Sequence, residues 1–217
     1  MMKKLPLIFT IILFSSCTEV LFETPQPMGS MILKKFPKEL RGTFIKGKDT
    51  ITINKHSIST TLHNLEPEVI SKDTVIKWDI SRFDKDRIHI AGLNVWLEFE
   101  YRSEKDSIIS SKKAYLFDIK KGDELRVSGS HYYLNASVYD SLWTVKKIIP
   151  SDTGLAIASM QMGKIEKIRT ITNTKPWNNP INKDSSYYII EPTGFELEKL
   201  YGEESDAVEW KGYCRIK

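Results

Sequence analysis

Four histidines, His56, His63, His89 and His131, are the first place to look for acid–base or metal chemistry, and their spacing argues against both. No two stand four apart, the separation that would set a pair on one helix face as zinc ligands, and Cys214 has no neighbouring thiol with which to build a cluster. Ser130 directly precedes His131, but neighbours in a strand point to opposite faces, so they do not pair as nucleophile and base. The chain holds no G-x-S-x-G elbow, no P-loop and no G-x-G-x-x-G fingerprint. Asp79, Asp84 and Asp86 in DISRFDKDR lack the glycine and the distal glutamate of an EF-hand loop, and read as a solvated turn. No metal or cofactor is expected.

Aromatic residues supply a binding motif of another kind. In LNVWLEFEYR, alternation sets Leu93, Val95, Leu97, Phe99 and Tyr101 on one face and Trp96, with Asn94, Glu98, Glu100 and Arg102, on the other. In HYYLNASVY, Tyr132, Leu134, Ala136 and Val138 form the core face, leaving His131, Tyr133, Asn135, Ser137 and Tyr139 opposite. Rings beside amides and acids, with Trp96, Tyr133 and Tyr139 as the ligand-facing set, would suit a carbohydrate or a peptide. The competing expectation is that late helices cover this second face and make it a mixed core.

A third pattern is repetition. Asp49, Asp73, Asp106, Asp140 and Asp184 are each followed by Ser or Thr, at intervals too uneven for a solenoid. Each stands where an apolar alternation starts, as expected of Asp in a turn and Ser or Thr at a strand entrance. Four copies, with Thr50, Thr74, Ser107 and Ser141 as the hydroxyl residues, also resemble the Asp-Ser/Thr-apolar sequon for O-glycosylation of exported proteins in Bacteroidota. The resemblance implies sugars on those hydroxyls; Asp184-Ser185-Ser186 departs from it at the third position.

The elements that would position these residues are overwhelmingly strands. From Phe36 onward, about ten alternating segments are bounded by Gly, Asp, Asn or Lys-Asp pairs, from RGTFIK through GLAIASMQM, with no strand–helix–strand alternation. The expected fold is mainly β: an antiparallel meander curled into a barrel- or sandwich-like sheet system. Two short helices come late. KIEKIRTIT spaces Ile165, Ile168 and Ile171 by three, and PTGFELEKLYG carries a capping box, Thr193 with Glu196, an inward face of Phe195, Leu200 and Tyr201, and Gly202 as a left-handed stop. NTKPWNNPINKDS between them reads as a loop with Trp177 tucked inward, and AVEWKGYCRIK as a closing strand in which Cys214 is buried filler. Residues 36–217 would form one β-rich domain, or two lobes meeting near 122–129.

The N-terminus decides the address. MMKKLPLIFTIILFSS has a basic start, Lys3 and Lys4, an apolar run of about ten residues and two small residues, the plan of a secretory signal over residues 1–16. The run is far short of the roughly 20 residues of a membrane-spanning helix. LFSSC resembles the lipobox of bacterial lipoproteins, with Phe14 where Leu is usual; the resemblance implies cleavage before Cys17 and acylation of its thiol. TPQPMGSMILKKFPKELRGTF is further similar to uncharacterised envelope lipoproteins of Bacteroidota. Residues 17–35, with Pro25, Pro27 and Gly29 close together and no sustained periodicity, read as a lipidated tether, with Val20, Leu21 and Phe22 either on the membrane or packed on the domain. Loss of Lys3 and Lys4 would halve a net charge of +4, too balanced for nucleic acid. The expectation is a lipid-anchored envelope protein at the outer membrane that works without catalysis, by binding or as a structural partner of an envelope protein or glycan. The alternatives are a hydrolase of envelope glycans, with carboxylates from distant strands, and a lipocalin-like carrier of a small ligand.

Overall fold

The structure, a computed structural model, describes residues 20–61, 69–71, 80–84, 87–90, 95–102, 107–139, 141–161, 163–178 and 186–216. In chain order these residues form β1 (Val20–Phe22), β2 (Met31–Leu33), β3 (Gly42–Lys46), β4 (Asp49–Ile53), β5 (Ser57–Thr61), β6 (Val69–Ser71), β7 (Ile80–Asp84), β8 (Arg87–Ile90), β9 (Val95–Arg102) and β10 (Ser107–Asp118). Then come β11 (Glu124–Ser128), β12 (His131–Tyr139), β13 (Leu142–Ser151), β14 (Gly154–Met160), α1 (Ile165–Arg169), β15 (Thr174–Asn178), β16 (Ser186–Ile190), α2 (Gly194–Leu200) and β17 (Val208–Arg215).

All of these strands join one strongly curled sheet, a half-barrel, antiparallel at every described pairing except that of β1 with β16. Its main run is β7-β8-β9-β10-β5-β4-β3-β17-β14-β13-β12-β11-β2. The last strand, β17, thus lies between β14 and β3 and joins the early hairpin to the later meander. Gly154 permits that closure, because a Cβ there would overlap the carbonyl oxygen of Tyr213 across the β14–β17 pair.

Two long strands make the sheet curl. β10 pairs with β6 through Ser107–Ile109 and with β5 from Lys113 onward, and its register slips between Tyr115 and Phe117. β13 meets β1 at Trp143 and β14 from Lys146 onward, while β12 holds its other edge from Leu142 to Ile148. Such irregularities increase local twist and bend a strand, which turns a flat ladder into a curved one.

Alternation along the strands gives the sheet two apolar faces. On one, Phe36, Leu40, Phe44, Ile51, Ile53, Ile58, Phe117, Leu125, Leu134, Ile148, Leu155 and Tyr213 form a single buried cluster. It draws on β3, β4, β5, β10, β11, β12, β13, β14 and β17, strands that meet only inside the curl, so this is the concave core. On the other face, Tyr133, Val145, Ala158, Met160 and Val208 pack beneath α1, α2, β1 and β16 through Ile168, Leu197, Leu200, Tyr201, Val20, Phe22 and Ile190.

Several sequence expectations are corrected here. Residues 20–33 are not a tether: Val20, Leu21 and Phe22 are at most 2% exposed, paired with β16 and β13, and β2 pairs with β11. The Pro-rich turn between them is latched by Asn135, whose Oδ1 accepts the Gln26 amide at 2.6 Å and whose Nδ2 donates to the Gln26 carbonyl at 2.8 Å. Arg126 also donates to the Pro27 carbonyl at 3.0 Å. Composition marked this stretch as extended, but a backbone whose donors and acceptors find a sheet edge becomes part of the sheet. The supposed loop after α1 contains β15, and Pro176 is tolerated because, among the described residues, β15 pairs with β16 alone. The sheet runs without a break through 122–129, which is β11 with its flanking turns.

α2 has the expected capping box, with the Thr193 amide donating to Glu196 at 2.8 Å and the Glu196 amide to Thr193 Oγ1 at 3.3 Å. Its buried residues are Leu197, Leu200 and Tyr201, spaced by three and one, whereas Phe195 is 72% exposed and turned away from the sheet. Gly202 is not left-handed; the helix ends at Tyr201 with φ −104°. Cys214 shares a face with Val208 and Trp210 as alternation predicts, yet it is exposed. The helical layer covers only the first half of that face, and Cys214 lies beyond it, opposite the exposed Ile45. Cys17 and the signal-like segment lie outside the described residues.

Candidate functional site

The concave core leaves a small cavity. Its walls are Ile51, Ile58, Leu116, Leu134 and Ile157, and its polar groups are Lys146, Lys211, Tyr213 and Ser159. The space open to water centres is about 50 Å³, room for a few water molecules or a small polar head. Alternation explains how these groups meet: Lys211 and Tyr213 are two apart on β17, Ile157 and Ser159 two apart on β14, and Lys146 on β13 lies directly across from Ser159.

Lys146 is the unusual member. Among the described residues it has no ion-pair partner and no hydrogen bond, and its amine is pushed down to about 8 from an ordinary 10.5, first by burial and then by the Lys211 charge. Lys211 differs, because Glu209 on the same strand face approaches it to 3.5 Å. The Tyr213 hydroxyl is pushed up to about 12 by burial, reinforced by Asp49 and Glu209, and so remains a neutral donor at any physiological pH. The cavity therefore offers an ammonium and hydroxyls on an aliphatic wall. That arrangement suits an anionic head carried by an apolar body. Ser159 and Lys146 face each other without a hydrogen bond, so no serine–lysine nucleophile is assembled.

Lys147, the next residue, points through the other face, where its Nζ lies 3.5 Å from Glu198. Tyr133 also donates to Glu198, at 3.1 Å, and packs edge-on against Tyr201, whose hydroxyl donates to the Val145 carbonyl at 2.6 Å. Burial, with Glu198 adding to it, drives the Tyr133 hydroxyl far above its usual range. His131 is shifted the other way, its ring kept neutral by burial and by the Lys147 charge against a smaller pull from Glu198. These groups brace α2 to the sheet.

A second polar cluster surrounds Arg87. It donates to Asp118 at 2.6 Å, lies 3.7 Å from Glu98 and stacks 3.6 Å above the Tyr115 ring, while the Tyr115 hydroxyl donates to Glu98 at 2.5 Å. Asp118 also accepts the Lys120 amide at 2.9 Å, and Asp123 accepts the amides of Asp118 and Ser137 at 2.6 and 3.1 Å. A cation, a phenol and backbone amides already occupy these carboxylates. The cluster is a joint between β8, β9, β10 and β12.

The expected aromatic set is not brought together. Trp96 is 4% exposed and packs on His89 with ring centroids 4.9 Å apart, and Tyr133 is wholly buried beneath α2. Tyr139 closes β12 opposite Leu142, and its side chain lies outside the described residues. Over Tyr133 and Val145 the face opposite the core is covered by the helices. Of the four hydroxyls, Thr50 is half-buried in β4, Ser141 is exposed in the turn before β13, Ser107 opens β10, and Thr74 lies outside the described residues. The strands β4, β10 and β16 do begin at or just after an aspartate of the repeat.

The cavity lysine was not singled out in the sequence. SLWTVKKIIP held the signal for it: adjacent lysines in a strand must face opposite sides, so a central strand with both faces covered sends one of them inward. Compared with known proteins, the chain matches no family model, no curated protein sequence and no solved structure.

Proposed function

We propose that this chain is a lipid-anchored protein of a bacterial cell envelope, at the outer membrane, that acts by binding rather than by catalysis. Its ligand is a small carboxylate with an apolar chain, seated in the half-barrel with its head at Lys146. The observation that carries this reading is the unpaired ammonium in an aliphatic cavity. Lys146 is half-buried on an aliphatic wall, and an incoming anion would supply the counter-charge that the described residues do not. Two features favour binding over hydrolysis: the cavity lining includes no carboxylate and no histidine, and Glu98 and Asp118 are held on Arg87. The carrier alternative read from the sequence thus becomes the working form of the binding hypothesis.

Titration with a series of straight-chain carboxylates and the matching alcohols, followed by calorimetry, tests it. Carboxylates should bind with a chain-length optimum, the alcohols at least about tenfold more weakly, the increment of a charge-assisted hydrogen bond of roughly 1.4 kcal/mol or more. Lys146→Gln should remove the difference. Because binding an anion favours the ammonium, affinity should hold below pH 8 and fall as pH rises through it, whereas an ordinary lysine would hold to about 10.5. Equal binding of alcohols and carboxylates, or carboxylate affinity unchanged in Lys146→Gln, would refute the site.

A further inference from the structure

Lys146 and Lys211 put two positive charges on the lining of the cavity, and no carboxylate stands beside them there. The counter-charge for one of them comes from outside the lining. Glu209 Oε2 lies 3.5 Å from Lys211 Nζ, while among the described residues Lys146 has no such partner.

Strand register explains the unequal treatment. Across β13, β14 and β17 one row reads Lys146, Ser159 and Glu209, and the next reads Ile148, Ile157 and Lys211. Residues in register on neighbouring strands share a face, so Glu209 stands on the concave side together with Lys146 and Lys211. Two strand spacings, on the order of 10 Å, separate its backbone from that of Lys146, whereas Lys211 is two residues along its own strand. The acid therefore takes the nearer lysine. Its side chain is 44% exposed against 24% for that of Lys211, so the carboxylate keeps part of its hydration while it neutralises a lining charge.

The charge met by a bound head follows from this arrangement. With Glu209 ionised, Lys146, Lys211 and Glu209 together present one net positive charge instead of two. Asp49 adds a carboxylate on the Tyr213 side, where the hydroxyl is raised first by burial and then by Asp49 and Glu209, so the field of both acids reaches the cavity wall. A head with a single negative charge is matched by Lys146. A second negative charge would find Lys211 already engaged and would be repelled by both acids.

We infer that Glu209 sets the charge class of the ligand, admitting heads with one negative charge, such as carboxylates and sulfate esters, and disfavouring doubly charged phosphate monoesters. This rests on the ligand site proposed above, with Lys146 as its anchor. Octyl sulfate and octyl phosphate test it, because their tetrahedral heads are close in size and at about pH 7.5 differ by almost a full charge. In calorimetric titration, wild-type protein should bind octyl sulfate at least about threefold more tightly than octyl phosphate, the scale of a partly solvated charge pair. Glu209→Gln should move that ratio toward phosphate by about threefold or more, and Lys211→Gln, which leaves Glu209 without its partner, should move it the other way. The opposite signs separate an effect of charge from a general loss of structure. A sulfate-to-phosphate ratio that is the same in both variants as in wild type, or tighter binding of phosphate by wild type, overturns the role of Glu209 and leaves the anion site standing. Wild-type protein that binds octanoate and octyl sulfate no better than octanol overturns the site itself, and the charge selection with it.

Discussion

Lys146 and Lys147 show how much one residue of phase decides. Both lie in the same apolar strand; one crosses to the helical side and meets Glu198, while the other enters the concave core and meets no counter-charge among the described residues. A half-buried ammonium with no counter-charge among the described residues opposes folding modestly, so Lys146→Met, close in volume, should stabilise the protein by up to about 1 kcal/mol at pH 7 by chemical denaturation. The sign of its pH dependence is fixed. The amine is depressed to about 8 in the fold from 10.5, so between those values the unfolded chain holds the extra proton and wild-type stability rises with pH. The advantage of Lys146→Met should therefore shrink from pH 8 to 10.5; an advantage that does not change across this window would place the amine in solvent. Among the four hydroxyls of the aspartate repeat, exposure ranks Ser141 ahead of Thr50. If the native protein carries sugars, Ser141→Ala should remove one glycan mass from its intact spectrum before Thr50→Ala does.

At the scale of elements, strands announced themselves by alternation and α2 by its capping box, because both signals are local. The segments misread were those whose partners lie far along the chain. Gln26 is 109 residues from Asn135, and nothing around Pro25, Pro27 and Gly29 indicates that a buried amide will accept and donate to this turn. Asn135→Ala would leave the Gln26 amide and carbonyl buried without partners, at a cost of about 2–4 kcal/mol in unfolding experiments. A free tether would show no such loss, so an unchanged midpoint would contradict the packing of residues 20–33. β15 was missed for a related reason: Pro176 argues against a strand unless that strand is an edge, and edge position is set by β16.

For the whole molecule, the order of strands matters more than their number. β17 joins the early hairpin to the later meander, and the cavity is assembled only when β4, β5, β10, β12, β13, β14 and β17 are all in place. No local segment contains it. Membrane attachment, by contrast, is proposed from seventeen residues at one end. Cys17→Ala should abolish metabolic labelling by a palmitate analogue and release the protein from membranes, since two or three acyl chains at roughly 0.8 kcal/mol per buried CH₂ would be its hold on the bilayer. Continued labelling of that variant would exclude Cys17 as the site.

By itself, the sequence determined what depends on near neighbours: a mainly antiparallel β fold, two late helices and a capped α2. It also held the two adjacent lysines that must part to opposite faces. Only the tertiary structure decided which face each aromatic ring would occupy, that residues 20–33 belong to the sheet, and that Lys146, Lys211 and Tyr213 share a cavity. The physical reason is the two-residue period of a strand. It sorts side chains into two faces, but which face is covered, and by what, depends on helices and strands more than a hundred residues away.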